Sequence, residues 1–118
     1  MKATITIQGN TQNTFPNLVE DDFGFDIIFN LKNDDNSVYD LSDYSVKFKS
    51  QLYGGTTNQI DGSCVLIDAS SGIVTYTVQS SDLEVVGRFK TEVECTLGTS
   101  IINTAKTGDL IIVDNLAN

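Results

Sequence analysis

The feature that most constrains this chain is the strict alternation of apolar and polar side chains. Its longest instance runs from Gly87 to Leu97, where the apolar series is Phe89, Thr91, Val93, Cys95 and Leu97. Successive residues of a strand point to opposite faces, so this period predicts a strand with one buried face. Helical patterning is confined to residues 81–86, where Ser80 or Ser81 could cap one turn. The residues therefore predict an all-β chain with one short helical turn near 81–86.

Further stretches show the same period. They are Ala3–Ile7, Phe23–Leu31, Tyr44–Leu52 and Ile73–Val78. Before the Asp68–Gly72 turn, Val65–Ile67 is instead apolar on both faces, which predicts a core strand or one that a neighbour covers. The strongest predicted core strand carries Phe23, Phe25, Ile27, Phe29 and Leu31 on one face. Polar, glycine-containing segments at 9–22 and 54–62 are predicted as loops. Phe15 is expected to pack the first of these loops against the edge of the sandwich. With 118 residues, the chain predicts a single domain over 1–118, an antiparallel β-sandwich of about seven to eight strands.

The charge balance narrows the classes of partner. The formal net charge is −9 and the chain has no histidine. Nucleic-acid binding needs a basic face that displaces counterions, and attraction to an anionic membrane needs the same. We therefore expect no nucleic-acid and no membrane partner. Met1-Lys2 leads directly into a strand pattern, without the apolar core of a signal peptide, so we expect synthesis in a cytoplasm.

The residues that usually carry catalysis are missing. Without histidine, neither a Ser-His-Asp nor a Cys-His arrangement can form within the chain, and two cysteines cannot close a zinc site. Acidic pairs occur at Asp21-Asp22, Asp34-Asp35 and Glu92/Glu94, in loops or on an outward strand face. A glycosidase needs two carboxylates facing each other across a cleft. We therefore predict no catalytic, cofactor or metal site.

Two local patterns leave alternatives open. Cys64 and Cys95 are either a disulfide or two small buried thiols, and the missing tryptophan argues against an immunoglobulin-type bridge. The segment 32–37 (KNDDNS) is either a calcium loop or an acidic hairpin turn, since it lacks the glycine and distal glutamate of an EF-hand.

The last strand pattern, 101–113, suggests a partner interface. Leu110–Val113 is apolar on both faces, and only one face can turn inward. Ile111 and Val113, or Leu110 and Ile112, are thus left for a partner subunit, unless the N-terminal strand or the 9–22 loop covers them. The candidate interface residues are Ile111, Val113, Ile102 and Tyr53. Exposed Tyr39, Tyr44 or Tyr53 could instead form a sugar site, or they could be ordinary edge and core tyrosines.

A series of short motifs occurs in a particular order. FGFDIIFNL precedes an acidic turn and Asp40-Leu41-Ser42-Asp43, and YSVKFKSQL follows. The series continues with the D…G-x-V-x-Y pattern of residues 68–76 and with Asp82-Leu83 followed by GRFKTEVE at 87–94. Over roughly residues 20–113, this order resembles the N-terminal immunoglobulin-like domain of the phage baseplate upper protein family. Phe89 stands where that family usually has tyrosine.

The resemblance implies an immunoglobulin-like β-sandwich that acts as a non-enzymatic, structural part of a tailed phage virion. It implies other virion proteins as partners, a homo-oligomer or symmetric ring on the particle, and synthesis in the host cytoplasm. The alternatives are a capsid decoration, neck or head-fibre-anchoring protein of the same fold, and a carbohydrate- or receptor-binding module.

Overall fold

The computed structural model of the protein describes residues 1–116, and these are almost entirely strands and turns. The strands are β1 Lys2–Ile7, β2 Asn10–Gln12, β3 Leu18–Val19, β4 Asp26–Lys32, β5 Ser45–Leu52, β6 Asn58–Ser63, β7 Val65–Asp68, β8 Ile73–Thr77, β9 Gly87–Leu97 and β10 Ile101–Val113. One 3-10 helix, Ala69–Ser71, joins β7 to β8. No helix among the described residues is long and apolar enough to cross a membrane.

The strands form two five-stranded sheets packed face to face. Sheet 1 has the order β2-β1-β4-β8-β7, and sheet 2 has the order β3-β10-β9-β5-β6. The predicted all-β sandwich is confirmed. The pairing is antiparallel as predicted, except that the two-residue strand β3 runs parallel to β10. The strand number exceeds eight because both predicted loops contain strands: β2 and β3 lie within 9–22, and β6 begins within 54–62.

The core between the sheets is centred on aromatic rings. The Phe29 and Phe48 ring centroids, from opposite sheets, lie 5.2 Å apart. Phe15 enters from the segment between β2 and β3, with its ring 6.3 Å from Phe29 and 5.9 Å from Phe48. Tyr76 lies 5.4 Å from Phe48. The loop aromatic therefore belongs to the core and not merely to its edge.

The prediction that the strongest core strand begins at Phe23 is wrong. Phe23 is 62% exposed and Phe25 is only partly buried, and β4 begins at Asp26. Gly24 adopts a φ of 86°, and its N–H donates to the Val78 carbonyl oxygen at 2.8 Å. This turn breaks the extended backbone, so the alternation in the sequence continues past the end of the strand.

The helical turn is displaced from its predicted position at 81–86. The only helical segment within residues 1–116 is the 3-10 helix at 69–71. Ser81 has a φ of 80°, and isolated turn bonds run from the Asp82 N–H to the Gln79 oxygen at 3.1 Å and from the Glu84 N–H to the Ser81 oxygen at 3.4 Å. A positive φ at Ser81 is incompatible with a right-handed helix. Leu83 is nevertheless buried at the end of the sandwich, as predicted.

The two open alternatives have structural answers. Cys64 and Cys95 are free thiols. Burial raises the pKa of Cys64 to about 12 and that of Cys95 to about 11. The 32–37 segment has the hydrogen bonds of an acidic turn. Asp35 accepts hydrogen bonds from the N–H and the hydroxyl of Ser37, at 3.0 and 2.6 Å. Within residues 1–116, no three His, Cys, Asp or Glu side chains are grouped where they could hold a metal ion.

Candidate interaction surface

The outward side of sheet 2 concentrates the cations of an acidic chain. We call it the charged face; its charged side chains are Lys47, Lys49, Asp61, Arg88, Lys90, Glu92, Glu94, Lys106 and Asp109. It thus holds five of the seven Lys and Arg residues but only four of the sixteen carboxylates. The charged face is close to neutral, whereas the chain as a whole carries −9. A second copy or an acidic protein meets less repulsion here than at the rest of the surface.

Strand register holds these charges in a fixed pattern. Because β5 pairs with β9, Lys47 lies opposite Glu94, and Lys49 lies opposite Glu92. The Lys49 ammonium reaches diagonally to Glu94 at 3.3 Å, while Lys106 of β10 reaches Glu92 at 3.0 Å. Exposed pairs of this kind stabilise by only a few tenths of a kcal/mol each. Their effect is to place alternating signs at defined positions, which favours recognition over stability.

One end of the charged face carries a cluster built around Tyr53. The Tyr53 hydroxyl donates to Asp109, and Arg88 donates to the same carboxylate through Nε at 2.8 Å. The Arg88 guanidinium lies 5.0 Å from the centroid of the Tyr53 ring. Ile111 is the direct cross-strand neighbour of Arg88. We call Tyr53, Arg88, Asp109 and Ile111 the Tyr53 cluster.

Electrostatics within the Tyr53 cluster keep it charged and bonded. The hydrogen bond from Tyr53, and then that from Arg88, hold the pKa of Asp109 below its usual range. The hydrogen bond to Asp109 raises the pKa of Tyr53 and also that of Arg88. Tyr53 and Arg88 are exposed and Asp109 is only half-buried, so these shifts indicate fixed geometry more than large stabilisation.

The four predicted interface residues share the outward side of sheet 2. Leu110 and Ile112 turn inward and are fully buried, which leaves Ile111 42% exposed and Val113 half-buried beside β3. Tyr53 is 49% exposed and lies with Ile111 in the Tyr53 cluster. Ile102 is 63% exposed, but nine residues of β10, about 30 Å, separate it from Ile111. The structure therefore brings Tyr53, Ile111 and Val113 towards one end and leaves Ile102 at the other.

The tyrosines do not form a shared platform for a sugar. Tyr39 and Tyr44 are half-buried and pack edge to face, with ring centroids 5.8 Å apart. Tyr76 is 4% exposed, and one face of the Tyr53 ring is covered by Arg88. An exposed aromatic face is what a sugar ring would need for stacking.

Two exposed apolar residues were missed by sequence reasoning. Val65 and Ile67 are 66% and 56% exposed on β7, although the pattern predicted a covered strand. The chain crosses between sheets at Cys64, which makes β7 the edge of sheet 1. The partners of Tyr53 were missed too, because alternation reports which face a residue is on and not which neighbours it meets.

The motif residues that carry the family resemblance form turns and part of the core of the sandwich. Gly72 has a φ of 75°, and a Cβ there would lie closer than 3.0 Å to the Leu31 and Tyr39 carbonyl oxygens. Asp82 accepts hydrogen bonds from the Tyr76 hydroxyl and the Gln79 N–H, and Leu83 is buried. These residues specify the sandwich, so a match to them identifies a fold and its family.

Comparison with known protein families agrees with the resemblance to the phage baseplate upper protein family. A model of the BppU N-terminal domain family matches residues 1–115. No curated protein sequence gives a match. The chain belongs to the BppU N-terminal domain family, a structural domain of the phage baseplate upper protein.

Proposed function

We propose that this chain is a non-enzymatic docking domain, which joins a baseplate component to other virion proteins through the charged face of sheet 2. The family assignment supports the baseplate setting, and the surface chemistry supports the choice of face. The chain would be made in the host cytoplasm and act in the virion as one member of a symmetric set of copies, since protein assemblies of repeated subunits are commonly symmetric.

The observation that carries this proposal is the Tyr53 cluster. Tyr, Arg and large aliphatic residues are the types enriched at the energetic centres of interfaces. Here the exposed Tyr53 ring is held by its hydrogen bond to Asp109 and by the Arg88 guanidinium over it, and the exposed Ile111 lies directly opposite Arg88 in the β9–β10 register. Side chains that are ordered before binding lose less conformational entropy on docking.

The reactive groups are consistent with a purely structural role. The chain has no histidine to act as a general base. Asp35, Asp40 and Asp82 accept hydrogen bonds from neighbouring turn residues, and Asp109 is bonded within the Tyr53 cluster. These carboxylates serve local geometry and are not placed as facing pairs.

Incorporation of variants into phage particles tests the proposal. Ile111→Asp places a charge within the Tyr53 cluster and leaves the buried neighbours Leu110 and Ile112 of β10 in place. We expect the variant protein to fold but to be depleted from purified particles at least about tenfold, the size of effect that loss of one interface centre gives. Val65→Asp is the matched control, because Val65 is more exposed than Ile111 and lies on the other sheet.

The outcomes separate clearly. Depletion of Ile111→Asp with normal incorporation of Val65→Asp supports docking through the charged face. Normal incorporation of both variants refutes that choice of face. Absence of the wild-type chain from particles refutes the virion role itself.

A further inference from the structure

Both sheets leave a strand edge open on the same side of the sandwich. β2 pairs with β1 only at residues 5–7, so Lys2–Thr4 has β4 on one side and, among residues 1–116, no strand on the other. β3 pairs with β10 only at residues 112–113, so residues 101–111 of β10 pair with β9 on one side and with no strand of the described chain on the other. Cα atoms of β1 and β10 approach within 8 Å of each other across the two sheets. Open edges present unpaired N–H and C=O groups that an extended segment can satisfy.

A cleft of about 500 Å³ opens on this side, and its chemistry is opposite to that of the chain. The residues that line it are Met1, Lys2, Ala3, Thr4, Asn13, Asn30, Lys32, Asn36 and Lys106. Three are lysines, three are asparagines, and none is acidic. The whole chain, by contrast, has sixteen acids and seven Lys or Arg residues. We call this site the lysine cleft.

Two of the lysines are placed at an electrostatic cost. Lys2 and Lys32 are direct cross-strand partners in the β1–β4 register. Like charges directly opposite each other in a sheet are destabilising. Among the described residues, neither ammonium has a carboxylate oxygen within 4.0 Å. Lys2 is partly balanced, because after the hydrogen bonds that Asp34 and Asp35 accept it also contributes to the lowered pKa of both carboxyls, whereas Lys32 has no ion-pair partner among the described residues.

The nearby acids balance the lysines of the cleft only in part. Asp34 borders the cleft but bonds the Met1 amino group at 2.9 Å, and Lys106 is already bonded to Glu92 at 3.0 Å. The Asn30 side-chain oxygen is buried and accepts no hydrogen bond from any described residue. Because that atom is shut off from solvent, a ligand in the cleft cannot reach it.

We propose that the lysine cleft binds an extended, acidic segment of a partner protein, which lies beside Lys2–Thr4 in the position that β2 leaves when its chain turns away at Asn13. Main-chain hydrogen bonds to the open edge of β1 supply affinity, as in strand addition to other sheets. The carboxylates of the segment meet Lys2 and Lys32. The lysine cleft lies outside the Tyr53 cluster, so this inference adds a second contact surface and goes beyond the proposed docking function.

Peptide binding to the purified chain tests the inference. The probe is a capped peptide of alternating glutamate and threonine, about eight residues long, a common strand length. A peptide of alternating lysine and threonine is its charge-reversed counterpart. Fluorescence anisotropy measures Kd for wild type, for Lys2→Glu with Lys32→Glu, and for Lys47→Glu with Lys90→Glu. The last variant changes the net charge equally but lies on the charged face.

We expect the acidic peptide to bind wild type and the basic peptide not to bind. The Lys2/Lys32 variant should weaken binding at least about tenfold, since two attractive contacts become repulsive, while the Lys47/Lys90 variant should change Kd by less than about twofold. Hydrogen exchange of the β1 amides at 2–4 should slow in the complex. Circular dichroism of each variant verifies that it folds.

Three results overturn the inference: no binding of the acidic peptide to wild type, equal losses in the two variants, or unchanged exchange at 2–4. None of them bears on particle incorporation of Ile111→Asp, so the docking role stands or falls by a separate measurement.

Discussion

Phe15 and Phe23 lie eight positions apart on either side of β3, and the structure predicts opposite consequences for removing them. Phe15 is 9% exposed and packs against Phe29 and Phe48 at centroid distances of 6.3 and 5.9 Å. Truncating a buried phenylalanine to alanine costs about 3–5 kcal/mol, including the cavity it leaves. For Phe15→Ala we expect the lower half of that range, about 3–4 kcal/mol, because the segment carrying Phe15 can partly collapse into the space.

Urea unfolding followed by far-UV circular dichroism and tyrosine fluorescence measures this loss. With an m-value of about 2 kcal/mol/M, the midpoint should fall by about 1.5–2 M. Thermal melts should show a fall of about 12 °C or more for a domain of this size. Phe23→Ala is the matched control, because Phe23 is 62% exposed and should shift stability by less than about 0.5 kcal/mol. The reasoning is refuted if Phe15→Ala costs under about 1 kcal/mol or if Phe23→Ala costs as much.

Three further outcomes follow from local geometry. Gly72→Ala should destabilise the fold by more than about 2 kcal/mol, because the new Cβ would crowd two carbonyl oxygens. Gly98 also has a positive φ but lies in open space, so Gly98→Ala should cost only about 1 kcal/mol. Equal urea midpoints for the two variants would contradict this. Cys64 and Cys95 lie on either side of Val46, which puts their Cα atoms about 10 Å apart, too far for a disulfide. Mass spectrometry should therefore find both thiols reduced. Because Cys95 is buried, it should react with iodoacetamide only after unfolding. Tyr53 and Arg88 lower the pKa of Asp109, so its contribution to stability is present above the unfolded pKa of about 4 and is lost as pH falls through the folded pKa. Asp109→Asn should therefore be less stable than wild type at about pH 6 but not at about pH 2, and a constant difference in urea midpoint would count against the ion pair.

Much of the architecture can be predicted from alternation alone. The period-two pattern of β9 and β5 correctly gives the inward face over most of each strand, because burial of one face is the main force that sets a strand's register. The pairing of β5 with β9 is a property of the fold that alternation does not report. The pattern fails at Phe23, where a turn at Gly24 ends the extended backbone without interrupting the apolar spacing. Hydrophobic period does not report backbone dihedral angles, so strand ends are its weakest point.

The surface was predictable only in part. The sequence left two faces of Leu110–Val113 open, and the β9–β10 register decides that Ile111 faces outward. The ion pair of Arg88 with Asp109 joins residues from adjacent strands, and no local pattern marks it. The opposition of Lys2 and Lys32 likewise depends on the β1–β4 register, which is a long-range property.

The central claim is that the chain docks through the charged face of sheet 2. Electron cryomicroscopy of the intact particle, at a resolution that shows side chains, tests it most directly. The account predicts heavy atoms of another protein or another copy within about 4 Å of Tyr53 and Ile111. A map in which both side chains face solvent, while the Val65 edge makes the contacts, would contradict it.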